Sequence, residues 1–264
     1  YAIDLDNGKI VWIKNHKIPL RSNIKIFDNK IFLIDQDNQI FCLNVKDGSK
    51  IWNIFSISSF IKSQDLMSLA VSRKGNLVAV NSSADLFNIN VDNGNVYWAT
   101  NTSASLYADV ADFYKSSEIV ISGEEIIFSS ATSIFSYDLK TGFVNWEIEA
   151  SSVAAPIIDG KHIFFVTENG YFIIIDKVTG KIISSKNILK ILKKRKQETK
   201  ITGFIMGSGK LYSVTLNGYL IVSSALSGKA EYFKKLGDPI TSTPIINNGR
   251  LYILTENSRI IGFN

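Results

Sequence analysis

One cysteine, Cys42, and two histidines, His16 and His162, stand among 264 residues, and these shortages close several routes before any motif is considered. A single thiol forms no internal disulfide, so cysteine pairing names no redox compartment. On the apolar run Ile40-Phe41-Cys42-Leu43 it has the setting of a small buried hydrophobe. Neither histidine lies in metal-ligand spacing with another histidine, a cysteine or a carboxylate, so no metal site is expected. The chain has no glycine-rich phosphate loop, nucleophile elbow or zinc signature, and no apolar run approaches the roughly 18 residues of a membrane-spanning helix. The expectation is a protein without catalytic residues and without a cofactor.

Positive charge exceeds negative only modestly, 29 Lys and Arg against 24 Asp and Glu, but it is unevenly placed. Lys190, Lys193, Lys194, Arg195, Lys196 and Lys200 fall in one short segment against a single acid, Glu198. Such a cluster can neutralise phosphates. No aromatic side chain interleaves it, so nucleic acid is not the expected partner; an anionic membrane surface or an acidic protein suits it equally, and a solvated face is the default.

What the sequence has in abundance is a repeat. Its clearest copy is Asp138-Leu139-Lys140-Thr141-Gly142-Phe143-Val144-Asn145-Trp146, and close copies run Asp4 to Trp12, Asn44 to Trp52 and Asn90 to Trp98. Two worn copies lead from Asp176 through Gly180 to Ser184 and from Ser224 through Gly228 to Tyr232. The glycines Gly8, Gly48, Gly94, Gly142, Gly180 and Gly228 are therefore 40, 46, 48, 38 and 48 residues apart. That is the period of one four-stranded propeller blade per repeat. The acid or asparagine bonds its own downstream amides, glycine supplies a positive φ, and the motif closes a hairpin. The tryptophan lies on the returning strand, where a ring burying on the order of 200 Å² fills the wedge between neighbouring blades. All four tryptophans, Trp12, Trp52, Trp98 and Trp146, hold this position and are expected to pack rather than to bind a ligand.

Turns at Asp28-Asn29, Lys74-Gly75, Gly123-Glu124, Asp159-Gly160, Ser208-Gly209 and Asn248-Gly249 each precede an apolar strand, so four short strands fit between successive motifs. The expected fold is all-β, a β-propeller of four-stranded antiparallel blades forming one domain over residues 1–264. Tyr1 opens on the strand before a motif turn and Asn264 closes a strand of the same rank. An eight-bladed parent accounts for this, with about six and a half blades in this chain; the alternative is a seven-bladed ring whose last blade takes Ile10 to Ile13. Three connections depart from short turns: Phe55 to Leu66, Asn101 to Ser117 and Ser185 to Lys200. Loops on a rigid scaffold are where binding concentrates. Ile188 to Lys193 forms either a turn or two of amphipathic helix or a solvated loop.

The recurring Asp-x-x-Thr/Asn/Asp-Gly-x-x-x-Trp resembles the tryptophan-docking repeat of pyrroloquinoline-quinone-type propellers across nearly the whole chain. The quinoprotein dehydrogenases of that group carry adjacent cysteines and acidic calcium ligands, and here Cys42 is alone. The non-catalytic branch is the better match. Asn217-Gly218-Tyr219-Leu220, the worn motif at Ser227-Gly228 and Thr241-Ser242-Thr243-Pro244 through Leu251-Tyr252 resemble the BamB family, lipoprotein subunits of the bacterial outer-membrane β-barrel assembly machinery. The resemblance implies a scaffold at the periplasmic face of the outer membrane, anchored by a lipid on a cysteine not in this sequence. It also implies POTRA domains of a BamA-like barrel subunit as partner, with unfolded outer-membrane proteins as a second class. In that family an acidic pair in one inter-blade loop and an apolar-basic segment in the preceding one make the contact. Asp109 and Asp112 correspond to the first, with one extra residue between them; Phe60, Ile61 and Lys62 stand in for the second, without its arginine. A quinone-dependent dehydrogenase and an adaptor of another complex are the competing readings.

Overall fold

The computed structural model describes residues 1–56, 67–104, 116–196 and 199–264, with the backbone alone at 104 and 194–196. The described strands assemble in chain order into antiparallel sheets. A two-stranded sheet, Ala2–Ile3 with Ile10–Trp12, is followed by five four-stranded sheets and a three-stranded one, Ile245–Asn247, Arg250–Leu254 and Ile260–Phe263. Strands adjacent in sequence are adjacent in the sheet, so each sheet is a meander of hairpins. The fold is an all-β propeller fold of four-stranded blades. Among the described residues helix is confined to two 3-10 segments, Thr102–Ala104 and Ile188–Lys196, both in long connections.

The second sheet, Lys25–Phe27, Lys30–Ile34, Ile40–Asn44 and Lys50–Ile54, shows why the middle strands are apolar at successive positions rather than at alternate ones. Phe32, Ile34, Ile40 and Cys42 pack against Leu69, Leu77, Ala79 and Ile89 of the next sheet. Ile31, Leu33, Phe41 and Leu43 pack on the opposite face, with Trp12 and Val45 of the flanking elements. Both faces are covered, so both sets of residues are buried. The outer strand Lys50–Ile54 is half covered and carries the polar residues.

The chain divides into two compact units, residues 1–131 with 137–144, and residues 132–136 with 145–264. The first holds the core just described. In the second, Val214, Leu220, Ile240, Leu251 and Ile253 form a buried cluster of the same kind.

Two boundaries differ from the sequence expectation. Ser185 to Asn187 belongs to the strand Ile182–Asn187, paired with Tyr171, Phe172 and Ile173, and Asn101 ends the strand Val96–Asn101. Backbone pairing with a neighbouring apolar strand overrides the weak strand preference of serine and asparagine. The connection Ile188–Lys196 is a 3-10 segment with Ile188, Leu189 and Leu192 buried and Lys190 and Lys193 exposed, interrupted at Lys193 where φ is 50°. Of the two readings, the short amphipathic helix is the one observed. Among the described residues no helix is long and apolar enough to cross a membrane.

Candidate functional site

The motif turns are closed systems. Asp138 Oδ1 accepts hydrogen bonds from the amides of Lys140 at 3.0 Å and Thr141 at 2.7 Å and from the Thr141 hydroxyl at 2.8 Å. The Gly142 amide donates to the Asp138 carbonyl at 2.9 Å. The Thr141 amide, followed by its hydroxyl, holds the Asp138 carboxyl below the usual range. Asp176 is held low in the same way, first by the Thr179 hydroxyl. In each turn acid one carboxylate oxygen is engaged by its own loop, which accounts for the acid as a turn residue.

The tryptophans join one sheet to the next by a repeated contact. Trp12 Nε1 donates to the Val45 carbonyl at 2.8 Å, Trp52 to Val91 at 3.0 Å, Trp98 to Leu139 at 2.9 Å and Trp146 to Lys177 at 2.9 Å. In every case the acceptor belongs to the residue after the turn acid or asparagine of the following sheet. The ring then lies over the glycine of that turn. A Cβ added at Gly48, Gly94, Gly142 or Gly180 would approach the indole to 2.9, 2.9, 2.7 or 2.6 Å, closer than real Cβ contacts come. Glycine is thus required twice at Gly142, once for its φ of 73° and once because the indole occupies the space a side chain would take. Sequence reasoning assigned the glycines to the turn alone and missed the ring seated on them. The available signal was the strict coupling of tryptophan to a glycine about 40 residues later. The sixth sheet breaks the rule: Gly228 meets the stem of Lys186 and the edge of Phe172, and no indole.

The two edges of each sheet do different work. One carries the first hairpin and the motif turn, tied together where Val45, Val91, Leu139 and Lys177 donate to the carbonyls of Asn29, Gly75, Glu124 and Lys161. The other carries the second hairpin and the connection to the next sheet. There Thr102, Ile188 and Leu236 donate to the carbonyls of Ala84, Gly170 and Gly218, each at 2.8 Å. The expected partner-binding residues Phe60, Ile61, Lys62, Asp109 and Asp112 lie outside the described residues. The stems of their segments are described and sit on this second edge. Asn81 Nδ2 donates to Ser56 Oγ at 3.0 Å, the Met67 amide donates to the Arg21 carbonyl at 2.6 Å, and the Ser117 amide donates to the Ser129 carbonyl at 2.7 Å. The described residues that flank 57–66 and 105–115 therefore lie on the same edge of consecutive sheets. The third connection uses it too, with Leu189 against Gly170 and Lys200 paired with Glu168 at 2.9 Å.

Both histidines are placed. His16 Nε2 lies 3.3 Å from Oδ2 of Asp35, a buried carboxylate that also accepts from the amides of Asp37 and Gln39, and the imidazole meets Phe41 edge-on. His162 is exposed beside Phe164. Cys42 is buried, and desolvation pushes its thiol up to about 12, so it is neutral and unreactive at pH 7. Among the described residues no group of three or more His, Cys, Asp or Glu side chains could hold a metal ion.

Comparison with known proteins gives concordant results. A family model described as outer membrane protein assembly factor BamB matches residues 1–186. Outer membrane protein assembly factor BamB of Yersinia pestis is 22% identical over 247 residues, 88% of this chain and 60% of its own length. The chain thus spans about 60% of that curated relative. The crystal structure of BamB from Moraxella catarrhalis superposes with a TM-score of 0.82 at 12% identity, covering 98% of this chain and 76% of that one. The C-terminal WD40 domain of Sif2 superposes at 0.68 with 10% identity, covering 89% and 64%, as another propeller of four-stranded blades would.

Proposed function

The chain belongs to the BamB family of outer membrane protein assembly factors, and on that premise we propose that it is a non-catalytic scaffold of outer-membrane protein assembly. It acts at the periplasmic face of the outer membrane by binding the POTRA domains of a BamA-like barrel subunit. One observation carries the reading: the family match runs through residue 186 and so takes in all four tryptophan-docked junctions, from Trp12 on Val45 to Trp146 on Lys177. Those junctions fix the sheets to one another and leave the long connections to make contact with a partner. In this reading Phe60 and Ile61 supply an apolar anchor, Lys62 flanks it, and Asp109 with Asp112 bond backbone amides or a basic side chain of the partner and set the register.

A quinone-dependent dehydrogenase is the rival reading. It requires an acidic, metal-binding centre and a redox partner for Cys42, whereas Cys42 packs among Phe32, Ile40 and Leu77. Dye-coupled alcohol oxidation by the purified protein with calcium and the quinone would favour that rival. The decisive test of the scaffold is calorimetric titration against isolated POTRA domains, with Asp109→Lys and Asp112→Lys combined. Saturable binding by the wild type, weakened by about 2–5 kcal/mol in a folded double variant, is expected for buried interfacial acids. No binding by the wild type removes the POTRA assignment; unchanged affinity in the double variant removes the acids from the contact.

A further inference from the structure

The fifth sheet, Ile157–Asp159, His162–Val166, Tyr171–Asp176 and Ile182–Asn187, and the sixth, Ile201–Gly207, Lys210–Thr215, Tyr219–Ser224 and Ala230–Lys235, meet without a tryptophan. Ser184 holds the position. It pairs with Ile174 across the ladder as Trp52 pairs with Cys42 and Trp98 with Asn88. The seat over Gly228 is taken by the stem of Lys186 and the edge of Phe172, but beside Ala225 an open crevice of about 590 Å³ remains, with Phe164, Ile174 and Ile183 on one wall and Met206, Ala225 and Leu226 on the other.

The acceptor is in place. Ala225 follows Ser224 as Val91 follows Asn90 and Lys177 follows Asp176, and its amide donates to the Gly209 carbonyl as theirs donate to Gly75 and Lys161. Its carbonyl receives no indole N–H among the described residues, whereas those of Val45, Val91, Leu139 and Lys177 each do. Two fully buried hydroxyls, Ser213 Oγ and Ser223 Oγ, find no hydrogen-bond partner among the described residues. Both lie on the face of the sixth sheet that presents Met206 and Ala225, since Leu211 pairs with Met206 and Ser223, and Ser213 and Ala225 are two residues along their chains. At the docked junction of the second and third sheets the same ranks hold Ala79 and Ile89, which are sealed in the core. At the mouth, Leu226 is 92% and Ile183 55% exposed, apolar surface that an occupant would take from water.

We infer that this crevice is a binding site for an aromatic side chain, indole by preference, carried on an extended polypeptide. The occupant follows from the chain itself, which fills four wedges of this construction with an indole borne on a strand and bonded to one backbone carbonyl. A polypeptide rather than a free ring fits because the outer strand Ile182–Asn187 has a neighbour on one side only. Its other edge presents backbone groups to an added strand, which can deliver a ring into the wedge beside it. The identity of the polypeptide rests on the proposed function: strands of outer-membrane barrels carry girdles of aromatic residues.

The test is fluorescence anisotropy of the full chain with a labelled extended peptide of five residues, carrying tryptophan at its centre, against the same peptide with alanine. At least tenfold tighter binding of the tryptophan peptide is expected. Ser184→Trp, which returns the chain's own ring to the wedge, should weaken it tenfold or more, and Ser184→Ala should leave it unchanged. Leu226→Glu, at the exposed mouth, gives a second reading should Ser184→Trp fail to fold, and it too should lower affinity severalfold. Equal binding of the two peptides, or full affinity in folded Ser184→Trp or in Leu226→Glu, would overturn the site. N-acetyl-tryptophanamide binding as tightly as the peptide would overturn the polypeptide occupant. POTRA titration run in parallel separates the two claims: peptide binding lost with POTRA binding kept sinks this inference alone.

Discussion

The junction between the fourth and fifth sheets and the junction between the fifth and sixth are built from the same repeat and solved differently. At the first, Trp146 is buried, donates to the Lys177 carbonyl at 2.9 Å and lies on Gly180. At the second, Ser184 replaces the indole, the stem of Lys186 covers part of Gly228, and an apolar crevice stays open. The turn, the glycine and the acceptor carbonyl persist in both. Removing the ring therefore leaves its acceptor carbonyl and an open crevice beside it, because that part of the socket is made of backbone and of a hairpin that closes by itself, while Lys186 and Phe172 cover the glycine. A propeller of such blades keeps its architecture through the loss of one docking residue, and the vacated wedge becomes free to bind something else.

The largest effect expected from breaking the comparison is Trp146→Ala. Emptying a buried aromatic site costs about 3–5 kcal/mol, and the Lys177 carbonyl loses its donor as well. Denaturant melts read this directly, and a loss under about 1 kcal/mol would show that the indole does not support the junction.

A finer test uses the two glycines. Both have positive φ, 69° at Gly180 and 68° at Gly228, so alanine at either carries a backbone penalty of about 1–2 kcal/mol. The added Cβ meets the Trp146 ring at 2.6 Å in one case and the flexible Cγ of Lys186 at 3.0 Å in the other. Overpacking against a fixed ring adds about 1–3 kcal/mol, whereas a lysine stem moves aside. Gly180→Ala should thus destabilise by about 2–5 kcal/mol and Gly228→Ala by about 1–2. Equal losses would mean that the indole contributes nothing to the requirement for glycine.

The repeat was legible in the sequence because its signals are local: an acid, a glycine and a tryptophan at fixed offsets within one hairpin. The partner of each tryptophan was not, since the acceptor is a backbone carbonyl and the side chains of the residues supplying it, Val45, Val91, Leu139 and Lys177, take no part in the bond. The open wedge was half visible. Ser184 and Tyr232 stood out as worn copies, but whether a missing ring collapses or leaves space depends on the packing of Ile174, Met206 and Ala225, which no spacing reveals. Strand ends at Asn101 and Asn187 were misplaced for a related reason, as the pairing that holds them comes from another strand.

The smallest expected effect concerns the turns themselves. Asp138 gathers three donors on one carboxylate oxygen, while Ser224, at the same rank in the sixth sheet, accepts one bond from the Ser227 amide at 3.2 Å. Asp138→Asn keeps an acceptor but removes its charge, and a net loss of about 1 kcal/mol is expected near neutral pH. The pH dependence fixes the sign. The carboxyl of Asp138 is held below its unfolded value, first by the Thr141 amide, so its contribution is complete above that unfolded value of about 3.9 and fades as pH falls through the lower folded one. The stability gap between wild type and Asp138→Asn should therefore be constant from pH 5 to 7 and begin to close below about pH 4. Ser224→Asp should gain stability at pH 7 and lose that gain over the same acid range, giving the sixth sheet the titration that its own turn lacks. Urea melts of the three proteins at pH 7 and pH 3 measure both differences. A gap undiminished at pH 3 would place the Asp138 contribution in shape rather than charge, and the two kinds of turn would then differ only in their neighbours.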